Sequence, residues 1–261
     1  MLSVAGSDNW SNRSFLESES FTQPTGLYFS ENSKEYKKIK SLPQKFDPTK
    51  YEVEQFFSES KDGTKIPYFQ ISRKDMIANS KNPTLLYGYG GFEISLTPSY
   101  LSAFTTKWID DGGVYVIANI RGGGEYGPKW HQSALKANRQ RAYDDFISVA
   151  EELIEREVTS PRNLGIRGGS NGGLLVGAVF TQRPDLFNAV ICAVPLLDMY
   201  RYDKLLAGAS WVDEYGDPDN KDEWEYIQKY SPYQNVFSNQ DYPEVYSVSY
   251  THLTLPTSRS V

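Results

Sequence analysis

The sequence predicts an α/β protein, with a mostly parallel sheet covered by helices on both faces and entered through a β-hairpin. Three observations predict it. Short apolar runs alternate with helix-period segments over residues 84–249. Ahead of them, Asp62-Gly63 joins two strand-like runs with the dipeptide that favours a tight hairpin turn. Near the middle, Gly168-Gly169-Ser170-Asn171-Gly172 stands between a strand candidate and a helix candidate.

The elements follow in order. Residues 1–45 are rich in Ser and Thr, hold short strand-like pieces such as residues 26–29, and carry a strongly charged stretch at residues 34–40. They have too few apolar residues for a core of their own and read as the end of an all-β region. Pro43 and Pro48 bracket a linker. The hairpin strands are residues 51–56 and 66–71, and the next strand is residues 84–89. Residues 99–111 are predicted helical and stop at Gly112-Gly113. Residues 114–120 are the clearest buried strand. Ala142, Phe146, Val149, Ala150, Leu153 and Ile154 fall on one helical face. Residues 163–167 form a strand before the serine, and residues 174–180 a helix after it, ended by Arg183-Pro184. A strand at residues 188–194, two short helices around Tyr202 and Trp224, and a last strand at residues 244–249 complete the series.

Composition narrows the function. The chain has 261 residues, 39% hydrophobic and 23% charged, the profile of an ordinary globular protein. A net charge of -6 and a pI of about 5.1 leave no basic stripe for phosphates, so nucleic acid is not an expected partner. No apolar run reaches the ~20 residues of a membrane span. Met1 to Trp10 lacks a basic region followed by an apolar core, so no signal peptide is visible. One cysteine and two histidines exclude an internal disulfide and a zinc site, and neither metal nor cofactor is expected. Cys192, in an apolar run, reads as a buried small hydrophobe.

The serine motif carries the chemistry. A strand, a sharp turn and a helix raise a serine hydroxyl to the top of a sheet. Side chains two residues either side of Ser170 would collide with the strand and helix, which calls for Gly168 and Gly172. The helix N-terminus aims N–H groups and positive dipole at the place where an oxyanion forms. A second glycine pattern misleads. Gly122-Gly123-Gly124-Glu125-Tyr126-Gly127 contains G-x-G-x-x-G and follows a strong strand, with Asp144 at the distance of a dinucleotide fingerprint. Pro128 and Trp130 follow it where an apolar helix should start, and Asp144 opens a helix where it should end a strand. The stretch therefore reads as a flexible glycine loop beside the active site.

Several motifs occur together: residues 87–92, residues 119–127, residues 168–173, residues 182–187 and Trp211 to Gly216. In order and spacing the chain resembles the prolyl oligopeptidases over residues 10–247. The resemblance implies an α/β-hydrolase fold joined to a β-propeller. Residues 1–45 would be the end of the propeller, residues 46–248 a C-terminally incomplete catalytic domain, and residues 249–261 a non-native tail. It also implies a serine endopeptidase that cleaves short peptides after proline, monomeric at full length, with a proline-containing oligopeptide as partner. Ser170 would be the acyl-forming nucleophile, and the Asn171 backbone N–H and the Tyr89 hydroxyl the oxyanion donors. Phe92, Trp211 and Tyr215 would form the proline pocket, an aromatic face suiting a flat ring without an N–H.

The departures matter equally. In this fold the acid and then the base follow the serine. His252 is the one histidine downstream of Ser170, and it lies in a stretch unlike the expected aspartate-rich loop. His131 precedes Ser170, and Asp198, Asp203, Asp213 and Asp217 come too early for the triad acid. The expectation is a chain inactive by itself because the triad Asp and His are missing. The compartment, cytoplasmic or periplasmic, stays open because the native N-terminus would be missing. A dipeptidyl peptidase, a basic-specific oligopeptidase, an esterase or a non-catalytic binding module with this fold remain alternatives, with Asp213 and Glu214 the candidates for a cationic pocket.

Overall fold

A computed structural model describes residues 1–7 and 10–249. The chain divides into two compact units, one of residues 1–53, 71–76 and 97–112, the other of residues 54–70, 77–96 and 113 onward. In the first unit, β1 (Leu2–Ser7), β2 (Ser14–Ser18), β3 (Gly26–Ser30) and β4 (Lys37–Ser41) form a four-stranded sheet in chain order. Each neighbouring pair is antiparallel. Only Phe21 among residues 1–45 is a buried large hydrophobe, as the polar composition predicts. It is joined in the core of this unit by Tyr51, Ile71, Leu101 and Ile109.

The larger sheet begins with β5 (Tyr51–Glu59) and β6 (Lys65–Arg73), joined by the turn at Asp62-Gly63, where Gly63 has φ 82°. β7 (Thr84–Tyr87) follows, then α1 (Ala103–Asp110), which the Ser102 side chain caps by accepting from the Thr105 N–H. The helix therefore starts later than residue 99. The fully buried β8 (Val114–Ala118) comes next, then α2 (Pro128–Gln132), a short helix that the pattern did not predict. Pro128 suits its first turn, where no N–H is needed. α3 (Gln140–Glu155) buries Ala142, Phe146, Val149, Ala150 and Leu153 on one face. β9 (Leu164–Gly169), α4 (Asn171–Gln182) and β10 (Ala189–Ala193) lead to α5 (Val212–Tyr215), α6 (Lys221–Ile227) and β11 (Glu244–Val248). Tyr202 stands in a short 3-10 turn, Tyr202–Lys204, in place of a helix.

The seven strands lie in the order β11-β10-β9-β7-β8-β6-β5. The pairs β7–β8, β7–β9, β9–β10 and β10–β11 are parallel, so these strands share one carboxyl end. Open sheets of this kind bind ligands outside that end. α4 is buried along residues 171–179, as its continuous apolar sequence requires. Cys192 is 1% exposed, and burial pushes its thiol up to about 12, so it behaves as the inert hydrophobe expected. Among the described residues no helix is long and apolar enough to cross a membrane. The residues after 249, His252 included, lie outside the described residues.

Candidate active site

Three strand ends build the site. β9 ends at Gly169, and Ser170 turns the chain into α4 with φ 57° and ψ -117°. Few side chains tolerate that conformation, and close packing holds it. The Ser170 N–H donates to the Ala193 carbonyl at 2.9 Å, and the Ser170 carbonyl accepts from Gly173 at 2.9 Å and Leu174 at 3.1 Å. A Cβ on Gly168 would stand 1.9 Å from the Gly172 carbonyl oxygen, and one on Gly172 would stand 2.7 Å from the Gly88 carbonyl oxygen. The turn thus exists only with glycine at both positions. Strain gathers here: Phe92 (φ 55°), Glu93 (φ 57°) and Val194 (φ 44°) follow β7 and β10 at the same sheet end. For a β-branched residue such as Val194 this region is a marked outlier.

The loop after β7 brings Tyr89 to the serine. The two side chains line the same cleft, and burial raises the phenol above its usual value while the nearby Ser170 hydroxyl opposes that rise. Tyr89 is therefore a neutral O–H donor at physiological pH. Asn171 is the first residue of α4, a position whose N–H the helix does not use. Its side chain is fully buried and fully engaged. Its amide donates to the Tyr89 carbonyl at 2.6 Å and accepts from Arg139 Nη2 at 2.6 Å and the Tyr215 hydroxyl at 2.7 Å.

A cleft of about 280 Å³ opens beside these groups, lined by Tyr89, Phe92, Ile94, Ser170, Leu196, Trp211 and Tyr215. Phe92 meets Trp211 edge-on at 6.4 Å between ring centres and Tyr215 at 5.8 Å. Five of the six residues singled out in the sequence line one cleft, and the sixth, Asn171, is tied to two of them by hydrogen bonds.

Behind the cleft lies a buried ionic network that sequence reasoning missed. Glu214, 5% exposed, accepts from the Phe92 N–H at 3.0 Å and from Arg139 Nη1 at 2.9 Å, and meets His131 Nε2 at 2.7 Å. Arg139 is 1% exposed. Burial opposes its charge, but Tyr143, Tyr215 and Glu214 more than offset this, so it stays charged. Residues 138–141 read Asn-Arg-Gln-Arg, which resembles a solvated surface run. The one signal available was Glu214 beside Tyr215.

Glu214 therefore offers no free carboxylate to a cationic ligand. The Asp213 side chain is fully exposed and lies 3.6 Å from Lys136. His131 binds Glu214, and the early aspartates have other partners. Asp198 pairs with Arg201, Asp203 lies 3.9 Å from Lys204, and Asp217 accepts from the Asp219 N–H. Asp203, Asp217 and Asp219 gather their oxygens within 4.8 Å, with the Lys204 ammonium 2.7 Å from Asp219.

The glycine loop differs from expectation. Gly122 and Gly123 are buried. The Gly122 N–H donates to the Trp130 carbonyl at 3.1 Å, and its carbonyl accepts from Glu93 at 3.2 Å. Arg121, 5% exposed, clamps the loop to Asp145 at 2.6 Å and Asp62 at 2.6 Å. The loop is a bonded support for the Phe92 turn rather than a free flap. Sequence alone could not show this, because Glu93, Asp62 and Asp145 lie far from the loop in the chain.

The chain is similar to known proteins. The sequence profile of the prolyl oligopeptidase family matches residues 99–252. An uncharacterised peptidase of Sinorhizobium fredii is 50% identical over 93% of this chain and 34% of its own length. The prolyl endopeptidase of Elizabethkingia miricola is 43% identical over 88% of this chain and 33% of its own length. The solved structure of a post-proline cleaving enzyme from Rickettsia typhi superposes with a TM-score of 0.88 at 45% identity, covering 94% of this chain and 35% of that one. The chain spans about a third of the length of the curated relatives it matches. With the family profile matching more than half of its residues, the chain belongs to the prolyl oligopeptidase family.

Proposed function

We propose that this chain carries the nucleophile, the oxyanion donors and the proline pocket of a serine endopeptidase that cleaves peptides on the carboxyl side of proline. The observation that carries the reading is the meeting of Ser170 and Tyr89 at one side of a cleft walled by Phe92, Trp211 and Tyr215. In the proposed step the Ser170 oxygen attacks the carbonyl carbon of the proline, its proton passes to the departing amine through a base that the described residues do not supply, and the carbonyl oxygen gains negative charge. The Tyr89 hydroxyl and the Asn171 N–H donate to that oxygen, with the positive end of α4 behind them. The amine then leaves, and water releases the acyl group. The apolar walls suit a prolyl ring, which presents no N–H for a polar group to satisfy. Engagement of Glu214 by Arg139 and His131 favours proline over a basic side chain.

The proposal also assigns parts. Residues 46–248 belong to an α/β-hydrolase domain, here incomplete. Residues 1–45 belong to a β-propeller, supported by the antiparallel four-stranded sheet β1 to β4, the form of a propeller blade. The described residues supply no base for Ser170, since His131, their one histidine, is held by Glu214. Without a base the serine stays a weak neutral alcohol, so the chain alone is proposed to be inactive.

The test uses the full-length protein that carries this chain. A Gly-Pro amide is expected to be cleaved far faster than a Gly-Arg amide, and Ser170→Ala is expected to abolish cleavage. Equal rates on both amides would overturn the proline reading. Peptide binding without turnover would favour a non-catalytic module.

A further inference from the structure

We infer that Glu214 is the positioning residue for the proline preference, because it holds the Phe92 wall of the pocket at a fixed distance from the other two walls. The inference rests on the function proposed above. Its basis is a connection across the chain. Trp211 precedes α5 and Tyr215 ends it, so this single turn supplies two walls of the cleft. Glu214, between them, points inward and accepts the Phe92 N–H at 3.0 Å. That bond spans 122 residues of sequence and joins the third wall to the first two.

The bond matters because Phe92 does not hold its place by local preference. Phe92 and Glu93 both have left-handed backbone, with φ 55° and 57°. Two consecutive side-chain-bearing residues in that region require outside restraint. The restraints are the Glu214 carboxylate on the Phe92 N–H and the Gly122 carbonyl on the Glu93 N–H. With the Glu214 bond lost, the turn relaxes and the Phe92 ring moves from its edge-on contact with Trp211. A flat ring substrate then loses its close fit, while Ser170 and Tyr89 keep theirs.

A rival role is charge compensation alone, because the same Glu214 oxygen accepts from buried Arg139 at 2.9 Å. Two variants of the full-length protein separate the roles. Glu214→Gln keeps the reach and one acceptor oxygen for the Phe92 N–H, but removes the charge facing Arg139. Glu214→Asp keeps the charge, which the long Arg139 fork can follow, but withdraws the acceptor from the Phe92 backbone. The readouts are kcat/KM on Gly-Pro and Gly-Ala amides, and the rate at which a fluorophosphonate labels Ser170, followed by intact mass. Labelling needs the nucleophile but not the pocket.

In Glu214→Gln the Pro/Ala ratio is expected to stay within about twofold of the wild type. In Glu214→Asp it is expected to fall about tenfold or more, chiefly through a higher KM for the proline substrate. Labelling is expected to persist in both. The opposite order, with Gln losing the ratio and Asp keeping it, would overturn the inference in favour of charge compensation. An unchanged ratio in both variants would overturn it too, as would joint loss of ratio and labelling, which means support of the whole site. A wild type that does not distinguish Pro from Ala sinks the proposed function itself. A defect confined to the expected variant leaves that function intact.

Discussion

In the proposed reaction Tyr89 serves as an oxyanion donor because its phenol is neutral. Burial raises its pKa, so the O–H stays protonated throughout the neutral range, and Tyr89 lines the same cleft as Ser170. Tyr89→Phe removes one oxyanion donor and keeps the ring. In the full-length protein kcat is expected to fall about a hundredfold, with KM little changed. A steady-state comparison on a Gly-Pro amide checks this, and an unchanged kcat would remove Tyr89 from the oxyanion hole. Of the cleft residues, Ser170 was legible from its glycine motif, Tyr89, Phe92, Trp211 and Tyr215 from the family resemblance, and Ile94 and Leu196 not at all. Glu214, Arg139 and His131 were not legible either. Charged residues in charged runs look solvated, and only the fold reveals that Arg139 is 1% exposed.

At the scale of elements, the turn between β9 and α4 depends on absent side chains. The Gly172 carbonyl oxygen would lie 1.9 Å from a Cβ on Gly168, and that atom belongs to backbone that cannot swing aside. Gly168→Ala is expected to cost about 1–3 kcal/mol or more of stability and to displace Ser170. In the full-length protein, thermal unfolding reads the first effect and fluorophosphonate labelling the second. Retention of both would show that the turn adapts. The helices were less legible than the strands. α1 begins at its Ser102 cap rather than at residue 99, and α2 escaped notice because Pro128 and Trp130 look like loop residues. Short helices depend on tertiary packing more than on propensity.

For the molecule as a whole, the larger unit is tied together by Arg121. Its guanidinium binds Asp145, which is fully buried, and Asp62 in the hairpin turn. Arg121→Met leaves a buried carboxylate without its partner and is expected to cost about 3–5 kcal/mol, read as a lower urea midpoint. Asp62 adds a pH dependence. The hydrogen bond from Arg121 lowers its pKa below the ordinary carboxylate value. A lowered folded pKa stabilises above the unfolded value and is lost as pH falls below about 4. Asp62→Asn is therefore expected to be less stable than the wild type at pH 7, and the gap to close below about pH 4. The Asp62 side chain is 43% exposed, so screening keeps the effect small. A gap independent of pH would show that its charge contributes nothing.

By itself the sequence determined the α/β class, the strand that delivers Ser170 and the two glycines beside it. These follow from local rules: apolar periodicity, turn chemistry, and steric demands within five residues of chain. The aromatic residues of the cleft were indicated only by the resemblance to the prolyl oligopeptidases. The tertiary structure alone decided which charges are buried and what restrains the Phe92 turn. The bonds of Glu214 to Phe92 and of Arg121 to Asp62 span 122 and 59 residues. Pairings at such distance leave no periodic trace, because their partners become neighbours only when the sheet order β9-β7-β8-β6 is formed.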